Sequence, residues 1–88
     1  MPKKYLTQFS TEFWEDFEYW VKHDHKTSLK IIKLVQEIEL DPFTGTGKPE
    51  PLKHDYAGCW SRRIDLKNRL IYNVKEDVLY FLQAKDHY

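Results

Sequence analysis

The chain has 88 residues, 41 % of them hydrophobic and 32 % charged, which suits one domain (1–88) with a thin core and argues against both disorder and a membrane protein. Lysine and arginine balance aspartate and glutamate at 14 each, a neutrality that fits local recognition better than the wrapping of long nucleic acid. Its longest apolar run, Val78 to Leu82, is far below the ~18 residues of a membrane span, Lys3 and Lys4 precede no secretory core, and one cysteine excludes an internal disulfide, so a soluble cytoplasmic domain is expected.

Tyr5 to Phe9 alternates as a short strand. Ser10 can cap a helix whose first turns carry Glu12, Glu15 and Asp16, on the positive end of the dipole. Phe13, Phe17 and Trp20 set its apolar stripe, widened by Trp14 and Val21. A polar break over 23–26 precedes a second helix, with rows Leu29, Ile32, Val35 and Ile31, Leu34, Ile38, and Pro42 ends it. The two helices are expected to form an antiparallel hairpin. Phe43 to Pro51 reads as a loop stiffened by proline around Glu50. Three strands follow, Cys59–Asp65, Arg69–Val74 and Val78–Ala84, with connections short enough for hairpins. The fold class is α+β: an N-terminal strand and a two-helix hairpin packed on one face of a twisted, mainly antiparallel sheet, with the other face open to a ligand.

Charge is unevenly spread. Residues 1–42 carry a net −2, residues 43–74 a net +3 and residues 75–88 a net −1. Arg62, Arg63 and Arg69 all fall within eight residues, a patch that suits phosphate recognition or a solvated strand face. Alternation puts Arg63 with Ser61 on one face and Arg62 with Trp60 and Ile64 on the other, so only one of the adjacent arginines can meet a given ligand. Aromatic residues, 16 % of the chain, can fill a thin core or stack on bases.

Gly45, Gly47 and Lys48 lack the spacing of a phosphate loop. His23 and His25 beside Asp24 read as a solvated turn, His54 and His87 have no partners at ligand spacing, and neither a metal nor a cofactor is expected. Cys59 beside Trp60 reads as a small hydrophobe. What remains is an acid–base set: Glu50, Lys53 and His54, Arg63 and Arg69 on paired strands, and His87 near the end. Cutting RNA by attack of its own 2′-OH needs a base, an acid for the departing 5′ oxygen and cations around the phosphorus, and these side chains can supply all three.

The blocks Gly47-Lys48-Pro49-Glu50-Pro51-Leu52-Lys53-His54, Gly58-Cys59-Trp60-Ser61-Arg62-Arg63-Ile64, Asn68-Arg69-Leu70-Ile71-Tyr72 and Asp86-His87-Tyr88 closely resemble the YoeB toxins of the RelE/ParE superfamily. Phe13-Trp14-Glu15-Asp16, Trp20 and Asp41-Pro42-Phe43 extend the resemblance over nearly the whole chain. It implies a RelE-like fold and a toxin that enters the 30S ribosomal A site, cuts mRNA and is neutralised by a YefM-type antitoxin, with a homodimer of the free toxin left open. It also implies Glu50 as general base, His87 as general acid, Arg69 as the phosphate-stabilising cation and Tyr88 as a substrate-positioning residue. Lys53, His54 and Arg63 fall to RNA and phosphate binding. Cys59 stands where a bulky aromatic is common. Three other readings stay open: a nuclease acting on free RNA, a ParE-like poison of DNA gyrase, and a structural partner that docks its arginine face on something acidic.

Overall fold

Ser10 joins two layers of the fold. Its hydroxyl accepts from the Phe13 amide at 3.0 Å, capping the first helix, and donates to the Leu82 carbonyl at 2.7 Å, pinning that helix to the last strand. The computed structural model describes residues 4–86. They run β1 (Leu6–Phe9), α1 (Thr11–His23), α2 (His25–Leu40), β2 (Glu50–Pro51), a 3-10 turn (His54–Tyr56), β3 (Cys59–Arg63), β4 (Arg69–Lys75) and β5 (Val78–Gln83). The expected polar break between the helices contracts to one residue. Asp24 ends α1 with its amide on the Trp20 carbonyl and caps α2 through its carboxylate on Thr27.

The strands form one sheet in the order β1-β5-β4-β3-β2. β5, β4, β3 and β2 pair antiparallel, whereas β1 lies parallel to β5 with Leu6 opposite Val78. This is the expected α+β arrangement, two helices on a mainly antiparallel sheet. The loop expectation for 43–51 needs one correction: Glu50 and Pro51 pair with β3 as an edge strand. Proline is tolerated there because an edge leaves its missing N–H without a ladder partner to lose.

Between helices and sheet the core holds Phe13, Trp20, Ile31, Leu34 and Ile38 against Leu70, Tyr72, Leu79 and Phe81, all below a tenth exposed. Each fully buried side chain of this kind contributes about 1.5–3 kcal/mol. Of the two apolar rows on α2, Ile31, Leu34 and Ile38 face this core, while Leu29 and Ile32 stay exposed. Trp14 and Val21, which widen the α1 stripe, are also exposed. Trp14 and Ile32 border a groove of ≈ 370 Å³ with Phe9, Phe17 and Val35, and its lining carries no titratable group. The opposite face of the sheet instead carries Glu50, Ser61, Arg63 and Arg69.

Candidate active site

The loop that delivers Glu50 is held from below by Arg62. Alternation turns this arginine toward the helices, where it is fully buried. Its guanidinium donates to the carbonyls of Asp41 and Thr44 (2.8 Å each) and Thr46 (3.2 Å), and its Nε donates to the Tyr72 hydroxyl at 3.1 Å. Tyr72 in turn donates to the Pro42 carbonyl at 2.6 Å, and burial pushes its phenol above its ordinary pKa despite the nearby cation. Glu37 completes the arrangement 3.5 Å from Arg62, accepting from the Thr46 amide, which holds its carboxyl below its usual pKa. A buried charge with this many acceptors is compensated, and it fixes residues 41–46 as one unit. Gly45 sits at φ +128, where an added Cβ would fall 2.7 Å from the Glu37 carboxylate and 2.8 Å from Arg62. The arginine cluster seen in the sequence is thus split: Arg62 is inside, Arg69 is half-buried and Arg63 is exposed.

On the open face, Glu50 lies opposite Ser61, and Arg63 lies opposite Arg69. Arg63 donates its amide outward to the Gly47 carbonyl at 2.7 Å, and Arg69 donates outward to the Asp86 carbonyl at 3.1 Å. The two arginines therefore form a non-hydrogen-bonded pair, the kind in which facing side chains come closest. Like charges directly opposite are unfavourable on a sheet, a cost that a bound anion would relieve. Arg69 Nη1 reaches Ser61 Oγ at 3.2 Å and Glu50 Oε1 at 3.4 Å. The Arg69 side chain is only 17 % exposed while that of Glu50 is 52 % exposed, so the carboxylate faces solvent and the guanidinium sits at the floor.

Among the described residues, direct polar contact within the expected set is confined to Glu50 and Arg69, joined by Ser61. Ser61 bears no motif that marks it, and its only signal is the alternation that puts it on the face of Arg63. Beyond β2, Lys53 precedes and His54 opens the exposed 3-10 turn, His54 at φ 59. Cys59 is half-buried, 3.7 Å from the Asn73 amide. No group of three or more His, Cys, Asp or Glu side chains comes together among the described residues. His87 and Tyr88 lie outside the described residues. The backbone that leads to them is anchored: the Ala84 amide donates to Asp16 at 2.9 Å, Trp20 Nε1 donates to the Ala84 carbonyl at 2.8 Å, and Asp86 is bound to Arg69. Burial raises the Asp16 pKa, with the Ala84 amide opposing it.

Comparison with known proteins gives the family and the fold. Residues 9–88 match the family model of the YoeB-like toxin of bacterial type II toxin-antitoxin system. Toxin YoeB of Mycobacterium bovis is 48 % identical over 80 residues, covering 91 % of this chain and 94 % of the relative. The fold superposes on the YoeB/ParE toxin from Agrobacterium tumefaciens with a TM-score of 0.88 at 38 % identity, over 94 % of this chain and 99 % of that one. Staphylococcus aureus YoeB, solved as a dimer and in a YoeB-YefM complex, gives TM-scores of 0.86 and 0.84 at 35 % and 34 % identity, each over 97 % of this chain and 99 % of that one. The chain belongs to the YoeB-like toxins of bacterial type II toxin-antitoxin systems.

Proposed function

We propose that the chain, a single domain over residues 1–88, is a ribosome-dependent endoribonuclease that cuts mRNA in the A site of the small ribosomal subunit and so stops translation. The observation that carries this reading is the Arg63–Arg69 pair beside Glu50. Two arginines at facing strand positions, one of them in contact with a solvent-facing carboxylate, suit a phosphodiester that gains negative charge as it reacts. Glu50 takes the proton of the 2′-OH, and the 2′ oxygen bonds to phosphorus as the bond to the 5′ oxygen breaks. His87, as imidazolium, gives its proton to that departing oxygen. The products are a 2′,3′-cyclic phosphate and a 5′-hydroxyl, with Glu50 left protonated and His87 neutral. The step balances on these groups alone and is metal-independent. Arg69 bears on the charge developing at the phosphorus, Tyr88 positions the substrate, and Arg63, Lys53 and His54 hold neighbouring phosphates.

The partners in this reading are the ribosome, its mRNA and a YefM-type antitoxin, as the S. aureus relative has in its YoeB-YefM complex. Self-association is part of it too, as in the S. aureus dimer. Toe-printing of mRNA with and without ribosomes tests it. Cuts that require ribosomes are expected. Cuts on free RNA would replace it with a free-RNA nuclease, and an absence of cuts would favour a ParE-like or purely docking role. A phosphorothioate at the scissile position, rescued by a thiophilic cation, would overturn the metal-independent step.

A further inference from the structure

Asp86, the residue before His87, adopts φ 62, a left-handed conformation that non-glycine residues avoid, aspartate and asparagine least. Such a turn persists where its surroundings hold it. Two hydrogen bonds do so: the Asp86 carbonyl accepts from the Arg69 amide at 3.1 Å, and the Asp86 amide donates to Asn68 Oδ1 at 2.7 Å. The first is backbone to backbone and independent of side-chain identity. The second depends on one half-buried side chain in the β3–β4 turn.

That side chain is itself fixed. Asn68 Nδ2 donates to both oxygens of Asp65 at 3.0 Å, while the same carboxylate accepts the Lys67 amide at 2.8 Å and the Asn68 amide at 2.7 Å. Burial works against the charge on Asp65, but the hydrogen bonds from Asn68 and Lys67 outweigh it and hold the carboxyl below its usual pKa. With the amide group flipped, an NH2 would face the Asp86 N–H and a carbonyl would face a carboxylate, so only one orientation satisfies all the groups. The chain Asp65–Asn68–Asp86 thus runs from a locked turn to the backbone amide of the residue before His87, and the amide of the next residue, Arg69, donates to the Asp86 carbonyl.

We infer that Asn68, oriented by Asp65, is a positioning residue of this active site: it holds the Asp86 turn, the last described step of the backbone before His87, and the rate of cleavage depends on that turn being held. The inference rests on the reading of His87 as general acid, since without that role the turn would serve stability alone. Misplacing a reacting group by about an ångström costs on the order of a hundredfold in rate.

The test uses the full-length toxin as wild type, Asn68→Ala, and the exchanged pair Asp65→Asn with Asn68→Asp. The exchange keeps net charge and a donor–acceptor match at each contact. The amide introduced at position 65 can donate to the carboxylate introduced at position 68, and that carboxylate still accepts from the Asp86 amide. Two readouts are needed: single-turnover cleavage across ribosome concentrations, and hydrogen exchange at the Asp86 amide and at core amides such as Leu79. Asn68→Ala is expected to cut the maximal rate by about tenfold or more, leave half-saturation within about twofold, speed exchange at Asp86 and leave Leu79 protected. The exchanged pair is expected to recover both rate and protection. A rate for Asn68→Ala within twofold of wild type would overturn the inference. So would a rate loss matched by lost protection at Leu79, or an exchanged pair that restores Asp86 protection without the rate. If wild type cuts no RNA, the proposed activity fails instead, and unchanged Asp86 exchange in Asn68→Ala would then refute the contact separately.

Discussion

The side chains of Glu50 and Arg69 meet at 3.4 Å although their strands are not neighbours. β3 runs between them, and two strand spacings amount to roughly 9.5 Å. Arginine is long enough to cross that gap only if the residue beneath it is small, and Ser61 is that residue, hydrogen-bonded to Arg69 on the way. A bulky side chain at 61 would stand between the Glu50 carboxylate and the Arg69 guanidinium. The electrostatic core of the site is therefore a three-strand device, which explains why β2 needs only two residues: its task is to register Glu50 opposite Ser61.

Arg69 is expected to matter for the chemical step and little for folding. Arg69→Ala should lower single-turnover cleavage by ~2–4 kcal/mol, the range for losing one preorganised electrostatic donor. The ion pair with half-exposed Glu50 contributes at most ~1 kcal/mol, and its loss is offset by relief of the facing Arg63. Urea unfolding of the variant alongside its cleavage rate checks both. A rate within twofold of wild type would contradict the assignment.

The adjacent arginines should behave oppositely. Arg62→Met strands the carbonyls of Asp41, Thr44 and Thr46 and the Tyr72 hydroxyl, and breaking such a buried charged network costs ~3–5 kcal/mol. That is a large part of the ~5–15 kcal/mol total typical of a domain. Arg62→Lys cannot reproduce the fork and should also destabilise. Arg63→Ala, at an exposed position, should stay within ~0.5 kcal/mol. Urea midpoints for the three variants provide the comparison, and equal midpoints for Arg62→Met and Arg63→Ala would refute it.

That contrast shows what a sequence can and cannot reveal. Alternation separates Arg62 from Arg63 without a structure, because strand side chains switch faces at every residue. The helices, the apolar rows of α2 and the three C-terminal strands follow in the same way from periodicity and turn chemistry, but periodicity does not choose the Ile31–Leu34–Ile38 row as the buried one. The pairing of Glu50 with Ser61 does not, since a two-residue strand containing proline has no period to read. The parallel contact of β1 with β5 is also silent, because it joins the two ends of the chain through shape rather than pattern. Asp16, Trp20 and Asn68 act on the approach to His87 from distances of 68, 64 and 18 residues along the chain, and no local motif encodes such a contact.

The carboxylates make a prediction about pH. Glu37, Asp41 and Asp65 are held below their ordinary values, Glu37 and Asp41 chiefly by hydrogen bonds from Thr46 and Phe43 respectively, and Asp65 by hydrogen bonds that outweigh its burial. Their stabilisation is present above the unfolded values and is lost as pH falls through the lowered ones. Asp16 is raised by burial, so its contribution has the opposite sign, present below its unfolded value of 3.8 and lost as pH rises through the raised one. Wild type should therefore gain on Asp16→Asn as pH is lowered from 7 toward the carboxylate range. Urea titrations of both proteins across that range measure the difference. A pH-independent gap would contradict the raised value.

The central claim is that Glu50 acts as the base in RNA cleavage, and Glu50→Gln tests it most directly. Glutamine keeps the shape and a hydrogen-bonding oxygen beside Arg69 but cannot take the 2′-OH proton. Single-turnover cleavage on mRNA-programmed ribosomes should fall by about 10²–10⁴-fold, the contribution of a positioned general base, with urea stability within ~1 kcal/mol of wild type. A Glu50→Gln rate within twofold of wild type, on protein shown to be folded, would contradict the account.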